Sequence, residues 1–263
     1  MTTSAGNPAE AVISTVPALA AFLSTITPYS ELYIDLEGEN LCRYGTISIV
    51  TVLVHYVNYP SQPQDTTRLI DVATLGELAF TTPSSTDPDT TLKYILESTS
   101  IPKYLWDARN DADALWAHYH VALGGVTDVQ LMENASRVGN REFLCGLDKA
   151  IQQDLGMDNL EFDEWSRTKT SVAWKISCRI AGIFTDRPMA EDVVRYCLGD
   201  VQYLPRLYAV YERRLSADEM ESVRVESKYR LEDARASDYE PSGWSNRYGP
   251  WGAGPDSESE DDW

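Results

Sequence analysis

The stretch Glu31-Leu32-Tyr33-Ile34-Asp35-Leu36-Glu37-Gly38 decides how this chain folds. It is apolar and β-prone, and it closes on a glycine, so it reads as a strand. Side chains alternate along a strand, which puts Asp35 and Glu37 on one side and Leu36 on the other. Two adjacent carboxylates repel, and burying them unpaired is costly. A bound divalent cation relieves that cost, and hard Mg²⁺ or Mn²⁺ suits carboxylate oxygens. Taken alone, the pair reads more readily as two solvated acids at a loop edge. Further acids have to be sought downstream.

Working outward, Ser14 or Thr15 can cap a helix with Pro17 in its first turn, running to about Ile26. After the first strand comes Thr46–Val54, a β-branched run too rich for a surface loop. Turn formers with Pro60 and Pro63 follow, then Arg68–Val72 as a third strand. Three strands with short connections predict an antiparallel meander. Beyond it, Leu75–Phe80 and Thr91–Glu97 read as short helices, Lys103–Trp106 as a strand and Val126–Asp128 as another. Helical patterns follow at Val129–Arg137, 144–155 and 189–213. Strands alternating with helices predict an α/β sheet. No internal repeat is present.

The 263 residues are 43% hydrophobic and carry a net charge of −19. One core domain of ordinary size fits that length. The acidity argues against broad adhesion to nucleic acid or to an anionic membrane, though not against a local basic groove. Cys42, Cys145, Cys178 and Cys197 are widely spaced without a Cys-x-x-Cys pair. Neither a zinc site nor a disulfide framework is expected, which favours a reducing, intracellular compartment. The first basic residue is Arg43, so a secretory or transit leader is not expected. The apolar segment 11–26 is too broken for a membrane span.

Two more acidic motifs stand in order after Asp35 and Glu37. Asp111 lies in Asp107-Ala-Arg-Asn-Asp111-Ala-Asp113, at the start of a helix just after a strand, with Asp107 and Asp113 competing for its role. Acids at helix N-termini also have a plain electrostatic reason to be there. Tyr196 and Asp200, four apart on a helix, share a face. The order Asp-x-Glu, mid-chain Asp, Tyr-x-x-x-Asp resembles the DEDD superfamily of 3′–5′ exonucleases, in its tyrosine-containing branch with the ribonuclease D and Werner-type exonuclease domains. It is similar to fungal exonuclease-domain proteins. Supporting text is Leu69-Ile-Asp-Val72 and Arg187-Pro188.

The resemblance covers residues 12–214 and implies an α/β, ribonuclease H-like fold. Its sheet is mixed and five-stranded, three strands antiparallel and two further ones parallel, flanked by helices. It implies 12–215 as the exonuclease domain, while composition makes 1–11 a loose N-terminus and 216–263 a charged helix extension with a disordered acidic tail. It implies Asp35, Glu37, Asp111 and Asp200 as ligands of two divalent cations, Mg²⁺ or Mn²⁺, and Tyr196 as an orienter of the attacking water. The choice of Asp111 rests on Leu115 falling four residues later, as the family pattern has it. Trp106 and Asp107 depart from that pattern, which more often has His and then Gly or Asn. The implied reaction is hydrolysis of RNA or single-stranded DNA from the 3′ end, releasing nucleoside 5′-monophosphates. A catalytically inactive RNA-binding or scaffolding protein of the same fold is the competing reading, disfavoured because all four acids and the tyrosine are present. The helical nucleic-acid-binding module that often follows in ribonuclease D relatives is not expected here.

Arg167, Lys169, Lys175, Arg179 and Arg187 stand against the single acid Asp186 in 165–187. That segment could track phosphates while Trp165 or Trp174 stacks a base; equally, it is a solvated stretch with core tryptophans. His55, His118 and His120 have no partner at metal-ligand spacing. Between Leu231 and Trp263 nine acids face two arginines and almost no aliphatics, so 235–263 is expected to be disordered. Its Gly243-Trp244, Trp251-Gly252 and Trp263 resemble the Gly-Trp hooks that enter pockets on Argonaute proteins, which implies a possible protein partner. Alternatively the acidic tail shields the basic segment.

Overall fold

The computed structural model describes residues 8–56 and 65–252. The turn expected around Pro60 and Pro63, the first seven residues and the tail from 253 to Trp263 lie outside the described residues. The strands are β1 (Val12–Ile13), β2 (Ser30–Glu37), β3 (Ile49–Tyr56), β4 (Thr66–Asp71), β5 (Lys103–Leu105) and β6 (Val126–Asp128). The helices before β6 are α1 (Val16–Leu23), α2 (Val72–Leu75), α3 (Leu78–Thr81), α4 (Leu92–Glu97) and α5 (Arg109–Tyr119). After it come α6 (Val129–Ser136), α7 (Leu147–Asp154), α8 (Asn159–Ser177), α9 (Glu191–Gln202), α10 (Leu204–Glu212) and α11 (Ala217–Ala234).

One sheet in the order β1-β4-β3-β2-β5-β6 carries them. β2, β3 and β4 form the expected antiparallel meander, and β5 and β6 join β2 in parallel. The sheet is mixed α/β and ribonuclease H-like, as expected, but it has six strands rather than five. The extra strand is β1, which pairs in parallel with β4. Two residues are too short to leave a period-2 pattern.

The middle strand β3 is buried along almost its whole length, as β-branched side chains flanked by strands on both edges require. One face of the sheet packs on α1, α3, α4 and α5 around Leu19, Ile34, Val50, Leu96 and Leu115. The other face packs under α6, α7, α9 and α10 around Tyr33, Leu53, Leu131 and Leu207. A smaller cluster of Ile49, Leu69, Val172, Val193 and Cys197 seats α8 and α9 over β3 and β4. Pro205 sits in the first turn of α10, which splits the predicted helix 189–213 in two at Tyr203. No helix among the described residues is long and apolar enough to cross a membrane.

The expectation of disorder beyond residue 234 does not hold for 235–252. Ser216 and Glu219 form a capping box that starts α11. Its Met220 and Val223 join one core, and its Leu231 and Ala234 join the other. The chain beyond it stays on the domain: Arg43 donates to the carbonyls of Ala234, Ala236 and Ser237. Tyr239 is buried, and Leu144 N donates to the Arg247 carbonyl. A composition poor in aliphatics points to disorder, but backbone carbonyls held by arginines do the anchoring. Trp251 packs against the core, and Gly252 lies so close to Glu142 that a Cβ there would stand 2.3 Å from its Cα. That tryptophan is not a free hook. Trp244 is 63% exposed, with the Arg247 guanidinium 4.3 Å from its ring centroid.

Candidate active site

Asp35 and Glu37 sit at the C-terminal end of β2, opposite Thr51 and Ile49 of β3. The helix α9 crosses β2, β3 and β4 on that face, with Val193, Val194, Cys197 and Val201 buried beneath it. The same helical stripe carries Asp200 inward. Ligand-capable atoms of Asp35, Glu37 and Asp200 all lie within 4.8 Å of one another. Gly199 permits this approach, because a Cβ there would stand 3.0 Å from the Trp165 indole nitrogen. That indole N–H donates to the Gly199 carbonyl. Trp165 is therefore a core residue, and of the two tryptophans considered for base stacking Trp174 is the exposed one.

Asp111 is in the first turn of α5 and 7% exposed. It is not among the three acids that cluster within 4.8 Å, yet its charge acts on both Asp35 and Glu37. Its two competitors have other partners. Asp107 accepts from Arg109 at 2.6 and 2.7 Å, and Asp113 accepts from the Arg43 side chain and backbone at 2.6 and 2.7 Å. Among the described residues no ion pair to Asp111 is seen.

Burial, reinforced by the neighbouring carboxylates, raises Asp35 and Glu37 well above the usual carboxylate range. Burial raises Asp111 to about 8, with Asp107 adding to it and backbone N–H groups of Asp111 and Leu36 opposing it. Burial also raises Asp200, against the pull of Lys169. One oxygen on each of Asp35, Asp111 and Asp200 is buried without a hydrogen-bond partner, as is the Thr51 hydroxyl. Buried acceptors are normally satisfied, so three orphans among four acids call for a positively charged occupant. A set of hard carboxylate oxygens fits a hard divalent cation.

Lys169 of α8 supplies the site with its own cation. Its ammonium pairs with Asp200 Oδ1 and lies 3.7 Å from the Tyr196 ring centroid. Sequence reasoning puts Lys169 only in a phosphate-tracking segment, because it does not identify the helix over 159–177. Burial pushes the Tyr196 hydroxyl far above its ordinary range, and Glu37, Asp200 and Asp35 push it further. The basic segment itself is largely satisfied within the chain. Lys169 pairs with Asp200, Lys175 with Asp192, and Arg187 with the fully buried Asp71. The Asp71–Arg187 pair fixes the turn that leads through the cis Arg187–Pro188 peptide into α9. The histidines stand apart: His118 contacts the Cys42 carbonyl and His55 contacts Asp65.

A family model described as 3′–5′ exonuclease matches residues 11–216. No curated protein sequence matches the chain. Among solved structures, Trypanosoma brucei RNase D is similar at 18% identity and a TM-score of 0.68, over 90% of this chain and 77% of that one. Brucella melitensis NrnC with bound Mg²⁺ is similar at 18% identity and a TM-score of 0.54, over 78% and 83%. Escherichia coli RNase D, described as an exoribonuclease involved in structured RNA processing, is similar at 17% identity and a TM-score of 0.56, over 86% and 50%.

Proposed function

We propose a function from one premise: this chain belongs to the 3′–5′ exonuclease family. It is an exonuclease, a hydrolase acting on nucleic acid. In our reading its substrate is single-stranded RNA, with single-stranded DNA as the alternative, and its product is a nucleoside 5′-monophosphate taken from the 3′ end. RNA is placed first because the similar Escherichia coli protein is an exoribonuclease.

The observation that carries this reading is the orphaned oxygen on each of three acids drawn from three separate elements. Asp35, Glu37 and Asp200 would hold one divalent cation, and Asp111 with Asp35 a second. Mg²⁺ fits, as in the similar Brucella melitensis structure, and Mn²⁺ has the same preference for oxygen. When bound, the two cations supply Lewis-acid stabilisation to the attacking and leaving oxygens of an in-line displacement. The remaining work falls to the chain. Tyr196 stays protonated at neutral pH, so its hydroxyl orients the attacking water and does not take its proton. Lys169 brings a fixed positive charge to the edge of the cluster, where a phosphate carries negative charge. The cover of α8 and α9 limits water around these groups, which strengthens each interaction.

The test compares 5′-labelled RNA and DNA oligomers, with free and blocked 3′ ends, in Mg²⁺, Mn²⁺ and EDTA. Metal-dependent shortening of RNA with a free 3′ end is expected. Equal degradation in EDTA, or indifference to a 3′ block, would reject the reading.

A further inference from the structure

The family match ends at residue 216, yet α11 reaches into the turn that presents Asp111. The helix α5 starts without a side-chain cap of its own at Ala108. Asp128, at the end of β6 and fully buried, holds the turn just before that helix from a neighbouring strand. Its Oδ1 accepts from the Asp107 amide at 3.0 Å, and its Oδ2 accepts from the Ala108 amide at 3.2 Å. The same Oδ1 also accepts from Gln130 N, so one carboxylate holds the 107–108 turn and caps α6. Asp107 sits at φ +61°, in the left-handed region that is uncommon for a residue other than glycine.

Burying a carboxylate is costly unless it is hydrogen-bonded and paired. Arg230 of α11, 5% exposed, is its paired cation: Nη1 donates to Asp128 Oδ2 at 2.7 Å and to Gln130 Oε1 at 3.1 Å. It also lies 3.8 Å from Asp107 Oδ1. Ser227, one turn earlier on α11, accepts from the Asp128 amide at 3.0 Å. On the far side of Asp111, Arg43 joins Asp113 to the Ala234 carbonyl at the end of α11 and the Ala236 carbonyl just beyond it. The extension therefore grips α5 on both sides of the second acidic motif.

We propose that Arg230 is a positioning residue for Asp111: its pair with Asp128 holds the 107–108 turn and so places the second-motif carboxylate for its cation. This rests on reading Asp111 as a metal ligand. It makes the segment beyond the family match part of the working site rather than an appendage.

The test uses the full chain and three variants: Arg230→Met, Arg230→Lys and Val223→Ala. Val223 is buried in the same helix; its carbonyl accepts from the Ser227 hydroxyl, but its side chain makes none of these hydrogen bonds, so truncating it loosens α11 without unpairing Asp128. Mn²⁺ binding is measured by calorimetry, thermal melting tracks folding, and kcat and KM are taken on one RNA oligomer. Arg230→Met is expected to weaken Mn²⁺ binding about tenfold or more, as loss of an outer-shell partner does, and to lower kcat with little change in KM. Arg230→Lys falls between, and it stands in for the Met variant if that one does not fold. Val223→Ala lowers the melting temperature and leaves Mn²⁺ affinity as in the wild type. Wild-type Mn²⁺ affinity and kcat in a folded Arg230 variant would overturn the proposal, and so would an equal loss of Mn²⁺ affinity in Val223→Ala. A wild-type chain that binds no Mn²⁺ defeats the metal reading itself, a different result from either.

Discussion

Replacing Asp111 with Asn should make the metal-free protein more stable while it abolishes function. Asp111 has its folded pKa raised from 3.8 to about 8, first by burial and then by Asp107. Between those two values the folded chain holds a proton on this group that the unfolded chain has released. Stability then falls as pH rises through the window, by about 1.4 kcal/mol per pH unit. By pH 7 the group costs about 4 kcal/mol relative to its fully protonated form. Asn has a similar shape and no charge to bury, so that slope disappears. Urea unfolding in EDTA at pH 5, 6, 7 and 8 should show the Asp111→Asn variant gaining on the wild type at each step. Saturating Mn²⁺ should narrow the gap at pH 7, since ligand at a hundred times its Kd stabilises the binding-competent chain by about 2.7 kcal/mol. Parallel pH profiles in EDTA, or a wild type more stable than the variant at pH 8, would refute the reasoning.

Three further outcomes are expected. Lys103 is fully buried with its ammonium on the carbonyls of Ser98 and Ile101, and burial pushes its pKa down to about 7. The unfolded chain binds the extra proton between pH 7 and about 10, so this group makes stability rise with pH there; Lys103→Met should flatten that rise in urea midpoints. Arg187→Met leaves Asp71 charged, buried and unpaired, and should cost about 3–5 kcal/mol by chemical denaturation. Leu207→Ala opens a cavity between α10 and the sheet and should cost about 2–5 kcal/mol, with Mn²⁺ affinity measured by calorimetry unchanged.

What can be seen in the sequence follows from periodicity. A two-residue repeat places Asp35 and Glu37 on one face of β2, and a four-residue spacing places Tyr196 and Asp200 on one face of α9. Both are local geometry; that the two pairs meet is implied only by the resemblance to the exonuclease family. Spacing favours Asp111 over Asp107 and Asp113 only through the family pattern; that Arg109 and Arg43 occupy the other two is tertiary and leaves no trace in the sequence. Lys169 is hidden for a related reason. The helix α8 exposes Leu160, Trp174 and Ile176 and buries Trp165 and Val172, so its apolar residues do not make a clean stripe. The C-terminal segment reads as disordered along 235–252 although it is ordered, because its anchors are backbone carbonyls and two arginines from far upstream. Composition carries no trace of such contacts.

The most direct test of the exonuclease site follows a 5′-labelled single-stranded RNA oligomer in Mn²⁺ with the wild type and with Asp200→Asn, whose folding is checked by thermal melting. The expected result is a ladder of labelled products shortening from the 3′ end with the wild type, and an intact oligomer with the variant. Release of the label as a mononucleotide at the outset, or a wild-type ladder from folded Asp200→Asn, would contradict it.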